Sequence, residues 1–342
     1  MTLKMSLLKF APLDTPLERR LQTLAAAGWI TTMLWAEFLS IALCLYIVLC
    51  SSWYWLGVLY VFWVAIDRDI CHQGGRPIKW VRNWTWWRYY RDYFPLTLIK
   101  TAELDPKKNY LLCVFPHGLL SSGAFGHFAT DATGFQQMFP GMTARICTLA
   151  GHFMVPFYRE LILSLGGVSA SAESINYILG SKEKGKAAVL MVGGAAESLY
   201  CKPGTYRIVL KKRKGFVKLA LKNGTPLVPV FSFGETDLYD QVSNPEGSLL
   251  RKAQEFVKKI TGIAFCVPLG RGMLQYSVGI VPRRKPVTTV IGKPLEFERN
   301  LDPSDEDIEK LHSEFTQAIT ELFEQHKSKY IENHENIKLV IE

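Results

Sequence analysis

The seven cysteines of this 342-residue chain, Cys44, Cys50, Cys71, Cys113, Cys147, Cys201 and Cys266, are scattered, odd in number and without CxxC spacing. That argues against a disulfide framework or a zinc site and suits a reducing compartment. No recognisable nucleic-acid module accompanies the formal net charge of +9, so the excess of lysine and arginine points to anionic lipid surfaces and phosphate-bearing ligands. The basic n-region, short h-region and cleavage site of a signal peptide are missing at the Met1 end. No internal repeat or low-complexity tract breaks the chain. Its hydrophobic content of 48% lies between that of a soluble enzyme and a polytopic transporter, which fits a membrane-attached enzyme.

Charge is nearly absent from residues 25–66, where Glu37 is the sole ionised side chain. One helix of that length would run about 60 Å, against a hydrocarbon core of about 30 Å. Ser51-Ser52 offers a break. The stretch reads as a helical hairpin, residues 25–50 and 53–66, which either spans the membrane or re-enters one leaflet. A buried hairpin of a soluble core is the competing reading. Arg19 and Arg20 precede it; Arg68, Arg76, Lys79, Arg82, Arg88 and Arg91 follow, so both chain ends are expected on the cytosolic side. Trp53, Trp55 and Trp63 suit the interfacial belt. Glu37 is costly there unless paired. The connector after the hairpin interleaves Trp80, Trp84, Trp86 and Trp87 with arginines, to lie on headgroups or to pack on the following domain. Asn83-Trp84-Thr85 fits the glycosylation pattern but is idle on the cytosolic side. The expected divisions are 1–24, a cytosolic segment; 25–66, the hairpin; 67–103, the basic aromatic connector; and 104–342, an α/β domain.

In that last division strands alternate with helices. Strands are expected at 110–115, 187–192, 227–231 and 287–291. Helices are expected at 158–165, 171–179, 214–222, 248–260 and 304–326. Ser171 and Ser304 are placed as N-caps, Gly224 as a helix stop, and Ile308, Leu311, Phe315, Ile319 and Leu322 as the core stripe of the last helix.

Four motifs could carry chemistry. The run Tyr110–Phe115 ends at Pro116-His117-Gly118, which stops the strand and leaves a histidine on a turn, where a sheet enzyme keeps a base. The run 189–192 opens into Gly193-Gly194-Ala195-Ala196-Glu197. Its glycine amides suit an oxyanion or phosphate, and Glu197 suits orienting a histidine or binding a hydroxyl; a plain helix start is the alternative. Lys211, Lys212, Arg213 and Lys214 run into a helix N-terminus, a natural partner for a phosphate-rich ligand such as coenzyme A, or simply a solvated face. The run 227–233 ends at Gly234-Glu235, a core strand with a capped end or a direct site element.

Taken in this order, these motifs resemble the diacylglycerol acyltransferase-2 family, which includes monoacylglycerol and wax alcohol acyltransferases. Ala11-Pro12-Leu13, Arg19-Arg20-Leu21-Gln22-Thr23, Gln73-Gly74-Gly75-Arg76, Arg91-Asp92-Tyr93-Phe94-Pro95 and Glu324-Gln325-His326-Lys327 extend the resemblance over nearly the whole chain. It implies a glycerolipid acyltransferase-like α/β domain beside a membrane-embedded hairpin. It implies acyl transfer from acyl-CoA, a substrate and not a cofactor, to a mono- or diacylglycerol, or alternatively to a fatty alcohol. His117 would be the general base and Glu197 its carboxylate. Gly118, Gly193 and Gly194 would offer backbone donors, Lys211–Lys214 would bind acyl-CoA, and no metal or other cofactor is required. Membrane lipids are the implied partners, nucleic acid is not, and a homo-oligomer is compatible. The endoplasmic reticulum membrane or lipid droplets are the implied location. The Phe10-Ala11-Pro12-Leu13 opening leans toward the monoacylglycerol branch. One departure stands out. The family reads His-Pro-His-Gly at the turn, and here Phe115 replaces the first histidine. The wider superfamily's acid, five residues after the histidine, is Ser122 here. A catalytically dead lipid-binding protein is therefore a third expectation.

Overall fold

The computed structural model describes residues 9–342; the first eight residues of the expected 1–24 segment lie outside them. The central sheet has seven strands: β1 (Leu96–Lys100), β2 (Tyr110–Phe115), β3 (Thr143–Thr148), β4 (Gly167–Ser169), β5 (Lys186–Met191), β6 (Leu227–Phe233) and β7 (Val287–Ile291). Their spatial order is β1-β7-β6-β2-β5-β3-β4. All neighbours are parallel except β7 and β6. Central β2 and β6 are buried along their whole length, as strands covered on both faces must be. Because the parallel strands share direction, the C-terminal ends of β2, β5 and β6 lie side by side and carry the three turns picked out in the sequence.

Among the described residues eight helices have seven residues or more: α1 (Leu17–Cys50), α2 (Tyr54–Ile66), α3 (Thr85–Tyr93), α4 (Tyr158–Ser164), α5 (Ala172–Leu179), α6 (Gly215–Asn223), α7 (Leu249–Thr261) and α8 (Asp305–Tyr330). The expected caps are in place: Ser171 accepts the Ser174 backbone N–H and Ser304 forms a full capping box with Asp307; Ser248, not singled out as a cap, likewise accepts the Arg251 backbone N–H. Gly224 closes α6 in the left-handed region. The stripe of α8, with Phe315 and Ile319 fully buried, packs against one face of the sheet together with Phe216 and Phe231. All seven cysteines are free, five of them buried.

The hairpin differs from its expected start. Helix α1 begins at Leu17, not at residue 25, and its first half is protein core: Ala25, Ala26, Ala27, Trp29 and Ile30 are buried. The small alanines let α3 approach, and Trp29 stacks on Phe125 at 3.9 Å and meets Trp87 edge-on at 5.5 Å. The tryptophan-rich connector thus packs on the chain through Trp87, Tyr90 and Tyr93, while Trp80 stays exposed. Beyond residue 34, α1 and α2 turn large apolar side chains outward, among them Phe38, Leu45, Leu49, Leu59 and Phe62. Among the described residues α1 alone is long and apolar enough to cross a membrane; α2, with 13 residues, spans about 20 Å. Glu37 finds a partner in His152. The Asn83 amide is taken by Lys79 O and Asp131 Oδ2, both at 2.8 Å.

Candidate active site

Strand β2 stops at Phe115, where the Phe115–Pro116 bond is cis, and the chain turns so that His117 is half-buried just past the strand end. It is less exposed than an isolated loop histidine would be. Its Nδ1 lies 3.2 Å from Gly118 O and 3.1 Å from Ser198 Oγ. A carbonyl oxygen can only accept, so the shared Nδ1 carries the proton and the Nε2 lone pair is left open. Burial pulls the imidazole's pKa below its ordinary value of 6.5, which favours the neutral form.

Two carboxylates hold this turn by its main chain. Glu197 Oε2 accepts the His117 backbone N–H at 2.6 Å, and Oε1 accepts Val209 N–H at 2.8 Å. Glu235, at the end of β6, accepts Ser122 N–H at 2.7 Å and Gly123 N–H at 2.8 Å. Both are about 2% exposed, and burial outweighs these bonds and pushes each pKa up to about 7. Glycine is required beside each carboxylate. A Cβ on Gly118 (φ +62°) would sit 2.5 Å from Glu235 Cγ, and one on Gly193 would sit 2.0 Å from Glu197 Cδ.

The arrangement corrects two expectations. Glu197 does reach His117, but at the peptide and not at the ring; Ser198, the next residue, meets the ring instead. Gly194 was expected to offer its N–H to a ligand, yet that group already donates to Met191 O at 3.1 Å to close the turn. Phe115, two residues from the histidine, is fully buried and faces Phe315 in the core. Its ring takes no part in the turn.

A half-buried neutral histidine with an open Nε2, at the carboxyl end of a central parallel strand, is built to accept a proton. The profile of the diacylglycerol acyltransferase family matches residues 46–342. The chain belongs to this family. Like its family, it is an acyltransferase. It is 44% identical over 322 residues to bovine (Bos taurus) 2-acylglycerol O-acyltransferase 1, covering 94% of this chain and 96% of that one. It is 43% identical to the human diacylglycerol O-acyltransferase 2-like protein 6, covering 92% and 94% of the two chains. It is also 43% identical to diacylglycerol O-acyltransferase 2 of Dictyostelium discoideum, covering 94% and 96%. A solved 1-acyl-sn-glycerophosphate acyltransferase from Thermotoga maritima superposes with a TM-score of 0.43 at 14% identity, covering 91% of this chain and 98% of that one.

Within this acyltransferase the cationic run divides. Arg213 Nη2 donates to Gly193 O at 3.2 Å, which ties the run to the β5 turn. Lys214 caps α6 and pairs with Glu309 on α8, so it is not free for a ligand. Lys211 and Lys212 are exposed. Two site residues carried no committed role in the sequence. Ser198 gave no signal beyond its place after Glu197. Glu235 ended a singled-out motif, but nothing local says that it reaches back to residues 122 and 123.

Proposed function

We propose that the chain transfers a fatty acyl group from acyl-CoA to the free hydroxyl of a mono- or diacylglycerol. His117 Nε2 takes the proton from that hydroxyl as its oxygen attacks the thioester carbonyl, and the thiolate of coenzyme A leaves and is protonated. Such a base contributes about 10²–10⁴-fold. The oxyanion needs fixed donors, and with Gly194 occupied, the Gly118 and Gly193 amides are the remaining candidates. The observation that carries this reading is the placement of the ring: Nδ1 lies within hydrogen-bond distance of Gly118 O and Ser198 Oγ, which leaves Nε2 for the substrate hydroxyl. The reaction as written needs no metal and no cofactor. Lys211 and Lys212, exposed beside the Arg213 contact, favour the anionic donor.

The relatives named for acylglycerol acceptors support the glyceride over a fatty alcohol. Burial of Phe115 away from the turn weakens the reading of a dead lipid-binding protein, since no site atom is lost with the missing histidine. Microsomes supplied with labelled acyl-CoA and, in turn, a monoacylglycerol, a diacylglycerol and a fatty alcohol test the acceptor. Label appearing only in wax ester would overturn the glyceride reading. The apolar hairpin supports membrane attachment, and the endoplasmic reticulum membrane with both chain ends cytosolic is the location proposed with it. A C-terminal tag resisting protease on sealed microsomes would defeat that topology.

A further inference from the structure

We infer that a basic cavity beside the catalytic turn holds the nucleotide end of coenzyme A, its adenosine carrying a 3′-phosphate. The inference rests on the acyl-CoA reading of the donor. The cavity has a volume of about 710 Å³ and is walled by three separate pieces of chain: 199–207, 244–251 and 336–340. Lys202, Arg207, Arg251 and Lys338 line it together with Glu246; Arg207 and Arg251 already pair with Glu342 and Glu255, which leaves Lys202 and Lys338 as its unpaired cations among the described residues.

The two arginines are prearranged. The guanidinium carbons of Arg251 and Arg207 sit 4.4 and 5.0 Å from the centre of the Tyr200 ring. Arg251 is 4% exposed, donates to Leu199 O at 3.2 Å and pairs with Glu255 at 2.8 Å. Arg207 reaches Glu342 at 3.5 Å. Guanidinium groups held over an aromatic ring keep their place when a ligand enters, and such groups can also stack on a purine. Lys202 and Lys338 are exposed and have no acidic partner among the described residues.

Position links this cavity to the chemistry. Ser198 touches the His117 ring, and Leu199 and Tyr200, the next two residues, already form the cavity wall. Two Cα steps span at most about 7.6 Å. A pantetheine arm is longer than that, so a nucleotide in the cavity lets the thioester reach His117. The C-terminal strand closes the far wall: Val340 N–H donates to Tyr206 O at 2.9 Å, and Leu210 and Lys211 N–H both donate to Glu342 O.

The test compares the full chain in detergent micelles with its Lys202→Ala/Lys338→Ala variant, titrated calorimetrically with coenzyme A and with 3′-dephospho-coenzyme A. Both lysines are exposed, so folding is preserved. The wild type is expected to prefer coenzyme A, and the variant to lose about tenfold in its affinity for coenzyme A with little change for the dephospho form. Unchanged affinity for coenzyme A, or equal weakening for both ligands, overturns the inference. So does unchanged coenzyme A binding with weakened flotation on phosphatidylserine vesicles, which would make the lysines a lipid-headgroup patch. Binding needs no turnover. A wild type that binds coenzyme A selectively yet acylates no acceptor would defeat the proposed reaction and leave the cavity assignment standing.

Discussion

The Glu197 carboxylate grips the His117 peptide N–H at 2.6 Å, so the acid positions the base through the backbone and leaves the imidazole to Ser198 and Gly118. Position and tautomer are therefore set by different residues. His117→Ala should lower transfer by about 10²–10⁴-fold with little change in circular dichroism. Ser198→Ala removes one neutral hydrogen bond, worth about 1 kcal/mol, and should cost about fivefold in kcat. A Ser198→Ala loss as deep as that of His117→Ala would mean the serine itself enters the chemistry.

The acid limb of the pH–rate profile should report His117. Transfer needs the neutral imidazole, so activity is present above its pKa and lost as pH falls through it. Burial lowers that pKa, so the midpoint of kcat/KM for acyl-CoA is expected below the ordinary value of 6.5. An acid limb centred above 6.5 would contradict a desolvated base.

Stability should run the other way for the buried acids. Their pKa rises from 4.5 unfolded to about 7 folded, so the native state binds more protons across that window. Their contribution is full below about 4.5 and is lost as pH climbs through about 7. Glu235→Gln offers one acceptor oxygen to two N–H donors, Ser122 and Gly123, and should cost about 1–3 kcal/mol. It should also flatten the fall in Tm between pH 4.5 and 7. A variant with the wild-type slope would exclude Glu235 as a titrating group.

How far the sequence spoke depended on distance along the chain. The β2 run, the Pro116–Gly118 stop and the Ser304 cap are local signals, and each stands where it was expected. Strands β1, β3 and β4 were missed: β1 is a five-residue edge strand after Pro95, β3 carries the polar Thr143 and Arg145, and β4 is only three residues long. The early start of α1 was hidden because residues 17–24 are mostly polar and charged and lie outside the apolar run that marked the hairpin. The partners Glu37 and His152 are 115 residues apart, and Glu235 is more than 110 from its amides. No spacing rule connects such pairs; only the sheet order brings the ends of β2, β5 and β6 together.

The exposed part of the cationic run gives a salt-dependent prediction. Lys211→Ala/Lys212→Ala should raise the KM for acyl-CoA, and the difference from wild type should shrink as salt shortens the Debye length from about 10 Å at 0.1 M to about 3 Å at 1 M. Lys214→Ala should instead act on stability, since its ammonium is already paired with Glu309 between α6 and α8. That pair is surface-exposed, so the change should be small. An unchanged acyl-CoA KM in the double variant would reduce the run to a solvated face.

Phe115→His tests what the family's usual first histidine would do in this chain. The burial of Phe115 sets the energetic outcome. Its ring is 0% exposed, its strand neighbour in register is Phe231, and Phe315 of α8 lies 6.3 Å away. An imidazole there enters an apolar core; without a hydrogen-bond partner it costs about 1–3 kcal/mol. Its pKa would be driven down, so at neutral pH it would be uncharged and remote from the substrate. Transfer by the folded fraction should therefore stay within a few-fold of wild type while Tm falls. His117→Ala/Phe115→His should be as inactive as His117→Ala alone. Recovery of activity in that double variant would assign the base to position 115 and overturn the role given to His117.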